Sequence, residues 1–138
     1  MNGTEFLDSN VILYAYDPKN ARKQSVAQEL LERAVRGECV ISVQVLAEVS
    51  STLLHKLATP WPAAAVLDLL DLLAPIPLVV AAEEIVRRAV QAHAEYGIHF
   101  YDGMIVAAAE RAGCAKIWSE DLNPGQEYFG VRVENPFA

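Results

Sequence analysis

Cys39-Val40-Ile41-Ser42-Val43-Gln44-Val45-Leu46-Ala47-Glu48-Val49 changes its structural period partway along. Cys39-Val40-Ile41 is a short apolar run and reads as a strand. Ser42 then offers a hydroxyl that can cap a helix, and Leu46, Val49, Leu53 and Leu57 follow at helical spacing as its apolar stripe. A strand that feeds directly into a helix is the repeating unit of α/β domains, and the rest of the chain can be tested for the same alternation.

Upstream, Glu5 to Asp8 reads as a brief strand. Asp17-Pro18-Lys19-Asn20 is a turn by composition, and a helix from about Ala21 to Arg36 carries Val26, Leu30 and Ala34 on one face before Gly37 stops it. Downstream, the helix begun at Ser42 should end near Thr59-Pro60, and another runs from about Pro62 to Leu73. Pro77-Leu78-Val79-Val80 is a third strand, with a helix from about Ala82 to Tyr96 behind it. The segment from Asp102 to Ala112 is apolar almost all round, through Met104, Ile105, Val106 and three alanines, and so reads as a buried helix. Lys116-Ile117-Trp118 is a fourth strand and Gly130-Val131-Arg132-Val133 a short fifth. This alternation predicts a three-layer α/β/α domain with a central parallel sheet of four to five short strands and right-handed crossovers. Ligand sites in such sheets lie beyond the carboxyl ends of the strands, where Asp8 and Asp121 fall.

The chain has 138 residues, of which 53% are hydrophobic, enough to bury a core of about two-thirds of the chain's surface and to exclude global disorder. No apolar stretch reaches the roughly 18 residues of a membrane helix, because Leu72 to Ala82 is interrupted by Pro75 and Pro77. The N-terminus has no basic segment leading into an apolar one, so secretion is not expected. Cys39 and Cys114 match no metal spacing and read as reduced core thiols of a cytoplasmic protein. His55, His93 and His99 show no zinc spacing, and Trp61 and Trp118 read as packing residues. A net charge of −7 argues against binding nucleic acid through bulk charge. Any such contact must be local, with Lys19, Arg22 and Lys23 as candidates. The Arg87-Arg88 pair is another, although Glu83 and Glu84 stand four residues upstream as ordinary helical partners.

Four acids stand out: Asp8 in Asp8-Ser9-Asn10, Glu48 in Gln44-Val45-Leu46-Ala47-Glu48, Asp102 in Tyr101-Asp102-Gly103, and Asp121 in Ser119-Glu120-Asp121-Leu122. Each has an ordinary reading alone. Asp8 suits a turn or helix cap, Glu48 the wet face of a helix, Asp102 an N-cap, and Asp121 a polar turn. Brought together, carboxylates repel by about 4 kcal/mol per close pair at an effective dielectric near 20. A divalent cation is the usual remedy, and hard oxygen donors suit Mg²⁺.

As an ordered set, these motifs resemble the PIN-domain ribonucleases, and among them the VapC-type toxins of bacterial toxin–antitoxin pairs. The likeness covers essentially residues 1–138 as a single PIN domain, including Phe129-Gly130-Val131 and the ending Glu134-Asn135-Pro136-Phe137. It implies a metal-dependent endoribonuclease using Mg²⁺ or Mn²⁺. Asp8, Glu48, Asp102 and Asp121 would be the catalytic acids, with Asp8, Asp102 and Asp121 on the metal and Asn10 and Ser119 as accompanying polar residues. Asp8 and Asp102 would be the foremost direct ligands, and Glu48 would act through water or position the nucleophile. The likeness further implies an RNA substrate, with transfer RNA the family's frequent choice, a VapB-like antitoxin partner and a homodimer. Apolar helices around Leu46 to Leu73 would supply the dimer surface. Gly103 and Glu120 depart mildly from the pattern. Two other readings compete. A haloacid-dehalogenase-like phosphatase is echoed faintly by Asp8-Ser9-Asn10-Val11-Ile12, but Asn10 replaces the acid–base aspartate it needs. A catalytically idle domain that binds RNA or protein is the other, and four retained acids speak against it.

Overall fold

β1 (Glu5–Leu7) lies inside a six-stranded sheet, paired in parallel with β2 (Cys39–Ser42) on one side and β4 (Lys116–Trp118) on the other. Phe6 sits opposite Val40 in one register and Ile117 in the other. β3 (Leu78–Val79) extends the sheet beyond β2, and β6 (Val131–Glu134) pairs in parallel with β4. The structure, a computed structural model, describes residues 4–138. A two-residue strand, β5 (Glu127–Tyr128), closes an antiparallel hairpin with β6, giving the order β3-β2-β1-β4-β6-β5. That antiparallel edge adds one strand to the expected parallel set. The hairpin turns through Phe129 and Gly130, both at positive φ (51° and 80°).

Six helices connect the strands: α1 (Ser9–Ala15), α2 (Ala21–Val35), α3 (Val43–Ser51), α4 (Ala63–Leu73), α5 (Glu83–Tyr96) and α6 (Phe100–Arg111). β1, β2 and β3 step across the sheet in one direction, and the chain then returns to β4. Right-handed crossovers therefore place α1 to α4 on one face and α5 with α6 on the other, the expected three layers. α1 packs on α2 and α3, and α5 packs along α6. None of the described helices is long and apolar enough to cross a membrane.

Of the two ordinary readings of Asp8, the helix cap is the one found: its Oδ1 accepts the Ser9 N–H at 2.7 Å at the start of α1, a helix over residues to which the sequence assigned no element. Two details differ from expectation. α3 passes into a single π turn at Thr52–Lys56, and the helix ends there rather than near Pro60. α6 begins at Phe100, capped by His99 Nδ1 accepting from Tyr101 N at 3.1 Å, so Asp102 is not the cap but lies in the first turn. The expectation for α6 itself holds, with Gly103 and Ile105 to Ala109 buried. Cys39 and Cys114 are buried too, and that burial pushes both thiols up to about 11.

Candidate functional site

The strand order reverses between β1 and β4, which makes their carboxyl ends the switch point of the sheet and the expected place for a site. The two strand ends are tied together there, with Asp8 N donating to Trp118 O at 3.0 Å. Asp8, first residue past β1, and Ser119, first past β4, are two of the few buried polar residues, at 4% and 0% exposure. Ser119 Oγ donates to Asp8 Oδ2 at 2.7 Å and accepts from Asp121 N at 3.1 Å. Asn10, on the first turn of α1, donates through Nδ2 to Asp121 Oδ2 at 3.0 Å and accepts the Glu120 N–H at 3.1 Å. Asp8, Asn10, Ser119 and Asp121 thus form one knot, drawn from sequence positions more than a hundred residues apart.

Glu48 and Asp102 approach from the opposite faces. Gln44 connects them indirectly: its Nε2 lies 3.4 Å from Glu48 Oε2, one turn along α3, and donates at 3.0 Å to Tyr101 O, beside Asp102. The acids sense one another. Burial is the main cause raising the Asp8 carboxyl to about 6; hydrogen bonds from Ser119 and Ser9 oppose it, and the charges of Glu48 and Asp121 reinforce it. Burial also raises Asp102, aided by Asp121 and offset by His99. Among the described residues, no three His, Cys, Asp or Glu side chains stand close enough to close a ligand shell by themselves. The donor set is nevertheless all oxygen and mutually repulsive. That suits a magnesium-like ion, which takes one or two carboxylates and keeps several waters.

Glu120 is turned away from this knot. Tyr14 OH donates to its Oε1 at 2.7 Å and Lys23 Nζ pairs with its Oε2. Burial alone would raise the Glu120 carboxyl, but these two bonds outweigh it and hold it below its ordinary value. The doubly acidic motif is therefore divided, with Asp121 facing the site and Glu120 facing α2. Gly103 has an equally local cause. A Cβ there would meet the Ala89 carbonyl oxygen at 2.8 Å, so α5 and α6 approach too closely for any larger residue without a shift.

The basic candidates have diverse placements. Lys19 is exposed at a groove of about 600 Å³ lined by Tyr14, Tyr16, Thr52 and Trp61, which touches the knot through Asn10 and also reaches Glu120. Trp61 packs edge-on against Tyr16 there, and Trp118 donates to Glu5 Oε1 at 2.6 Å. Arg22 donates to Phe137 O at 2.7 Å, and Lys23 is committed to Glu120, so neither guanidinium nor ammonium simply faces solvent. Arg87 pairs with Glu83 as expected, but Arg88 does not take Glu84. It forks onto Glu110 of α6 at 2.8 and 2.9 Å and lies 3.5 Å over the Phe129 ring, while Glu84 pairs with Arg111. These cross-element partners, like Tyr14 beside the site, carry no sequence signal beyond their polarity, whereas Gln44 stands in the quoted motif one turn before Glu48.

Comparison with known proteins agrees with this architecture. The family model for the PIN domain matches residues 6–125. A toxin–antitoxin complex from Klebsiella pneumoniae contains a chain similar to this one with a TM-score of 0.72 at 17% identity, over 96% of this chain and 98% of that one. The VapC20 toxin of Mycobacterium tuberculosis, a sarcin-ricin-loop-cleaving toxin, is similar with a TM-score of 0.69 at 17% identity, over 94% and 99%. DNA-bound VapBC from Salmonella typhimurium gives 0.67 at 17% identity, over 96% and 98%. No curated protein matches the chain in sequence. At these identities the structural likeness speaks for the fold.

Proposed function

The chain belongs to the PIN-domain family, and we propose that it is a metal-dependent endoribonuclease toxin silenced by a cognate antitoxin. The observation that carries this reading is the switch-point knot, in which Ser119 orients Asp8 and Asn10 orients Asp121, with Glu48 and Asp102 within electrostatic reach. Asp8, Asp102 and Asp121 would hold the Mg²⁺ or Mn²⁺. When bound, that ion supplies charge neutralisation at the scissile phosphate and makes water more acidic. The remaining work falls to the chain itself.

Ser119 and the Ser9 N–H fix both oxygens of Asp8, so its outward lone pairs keep one direction. Asn10 does the same for Asp121. Glu48, braced by Gln44, presents a carboxylate that can accept a hydrogen bond from the attacking water and aim it in line with the departing 3′ oxygen. This chemistry leaves a 5′-phosphate and a 3′-hydroxyl. Because the net charge is −7, RNA must be met by local groups, and Lys19, exposed at the groove beside the knot, would be one of them. The same acids offer an antitoxin arginine bidentate partners, a direct means of inhibition. We assign a homodimer as the working assembly, with exposed Leu67 and Leu72 of α4 available for burial.

Incubating the purified protein with total RNA, with and without EDTA, beside Asp8→Asn tests the proposal. Cleavage should require the metal and vanish in the variant, and end mapping should find 5′-phosphates. Metal-independent cleavage, or full activity in Asp8→Asn, would overturn it.

A further inference from the structure

The 119–121 turn presents Asp121 to the site on one side and Glu120 to the helices on the other, and the second side is built as carefully as the first. Asn10 and Tyr14 lie one turn apart on α1. Asn10 Oδ1 takes the Glu120 N–H at 3.1 Å, and Tyr14 OH donates to Glu120 Oε1 at 2.7 Å. Lys23 arrives from α2, pairs with Glu120 Oε2 and donates to Tyr14 OH at 3.3 Å. Its ammonium lies 4.7 Å from the Tyr14 ring centre and 5.5 Å from that of Phe137. Phe137 is buried, stands edge-on to Tyr14 at 4.8 Å, and has its carbonyl held by Arg22. Phe137 thus backs the Lys23–Glu120 pair.

We infer that Lys23 is a positioning residue for the metal site: through Glu120 and Tyr14 it fixes the 119–121 turn so that Asp121 faces Asn10 and Asp8. The inference rests on the nuclease reading and replaces an RNA contact as the role of Lys23. Two consequences separate it from simpler accounts. A lysine acting only as a nearby positive charge repels a cation, so its removal would tighten metal binding. A lysine that orders a ligand has the opposite effect, and partners of metal ligands typically contribute about 10–100-fold to affinity or activity.

The experiment titrates Mn²⁺ alone into the full chain by electron paramagnetic resonance and measures thermal unfolding and steady-state RNA cleavage. The proteins are wild type, Lys23→Met, Tyr14→Phe, Lys23→Glu, Glu120→Lys and the Lys23→Glu/Glu120→Lys double variant. Lys23→Met should weaken Mn²⁺ and lower kcat by about 10-fold with KM little changed. Tyr14→Phe, which removes only a hydroxyl, should lose about 3-fold. Each charge-reversed single variant should be impaired and the double variant should recover most of the loss, because the pair is restored with its ends exchanged. Four results overturn the inference. They are a higher KM with Mn²⁺ affinity intact, tighter Mn²⁺ binding in Lys23→Met, a lowered Tm with unchanged Mn²⁺ affinity, and no recovery in the double variant. A wild-type protein that neither binds Mn²⁺ nor cleaves RNA would overturn the nuclease reading as well, so the two failures are distinguishable.

Discussion

Ser119 Oγ donates to Asp8 Oδ2 at 2.7 Å, joining the ends of two neighbouring parallel strands across 111 residues of chain. The same hydroxyl oxygen accepts the Asp121 N–H. One buried atom therefore holds one acid by its carboxylate and the other by its backbone. A hydrogen bond to a charged group contributes about 1.5–3 kcal/mol. Ser119→Ala should lower stability at pH 7.5 by about 2 kcal/mol, read by urea denaturation. It should also weaken Mn²⁺ binding by roughly 10-fold, because the Asp8 carboxylate loses its side-chain donor and the Asp121 backbone its acceptor. Unchanged Mn²⁺ affinity in a folded Ser119→Ala protein would show that Ser119 only fills space.

Burial and two acidic neighbours raise the Asp8 carboxyl to about 6, against the 3.8 of an unburied aspartate. The folded chain therefore holds a proton that the unfolded chain has already released, and stability must fall as pH rises through this window. Between pH 5 and pH 7 the loss amounts to about 1.3 kcal/mol, or a Tm lower by about 5 °C, in metal-free protein. The carboxyls held low by cationic partners, such as Glu120 and Glu84, have the opposite sign but act below their ordinary values, outside this range. Asp8→Asn should flatten the slope. A Tm that rises from pH 5 to pH 7 in EDTA would contradict the assignment.

Asp8 and Asp121 could be placed beyond strand carboxyl ends from the sequence because apolar strand runs and the polar turns after them are local patterns. α1 was not legible in the same way. Asp-Ser-Asn serves equally as a turn and as a helix start, and what decides is the Asp8 cap together with burial of Val11, Ile12 and Ala15. β5 is two residues at a sheet edge, defined only by its pairing with β6. The partners of Arg88 and Lys23 were hidden for another reason. Helical spacing offers Arg88 the local Glu84, but α5 lies along α6, and Glu110 offers two oxygens in fork geometry while the exposed Glu84 pairs with Arg111. Lys23 and Glu120 are 97 residues apart, and no local pattern announces such a pair.

Gly103 gives the α5–α6 contact a clean sign test. In a helix interior alanine is favoured over glycine by about 1 kcal/mol, so propensity alone predicts that Gly103→Ala stabilises. The Ala89 carbonyl oxygen at 2.8 Å from the new Cβ predicts the reverse, because both are tied to helix backbones that can separate only together. Overpacking of this kind costs about 1–3 kcal/mol. The net expectation is a Tm lower by several degrees and, since Asp102 is the preceding residue, reduced cleavage as well. A Tm equal to or above wild type would mean that α5 yields and that the close approach is not needed to place Asp102.

The metal and the Asp8 proton should compete, which makes their joint effect on stability calculable. Mn²⁺ at a hundred times its dissociation constant at pH 7 stabilises the fold by about 2.7 kcal/mol. At pH 5 about nine in ten Asp8 carboxyls hold a proton, the apparent affinity falls roughly 10-fold, and the same Mn²⁺ contributes only about 1.4 kcal/mol. The difference of about 1.3 kcal/mol equals the amount by which the metal-free protein weakens over the same interval. Saturating Mn²⁺ should therefore abolish the pH slope between 5 and 7 without inverting it, since metal-bound and unfolded chains alike carry an ionised Asp8. Thermal unfolding in Mn²⁺ and in EDTA at both pH values reads this directly. Equal Mn²⁺ shifts at pH 5 and pH 7 would remove Asp8 from the ligand set.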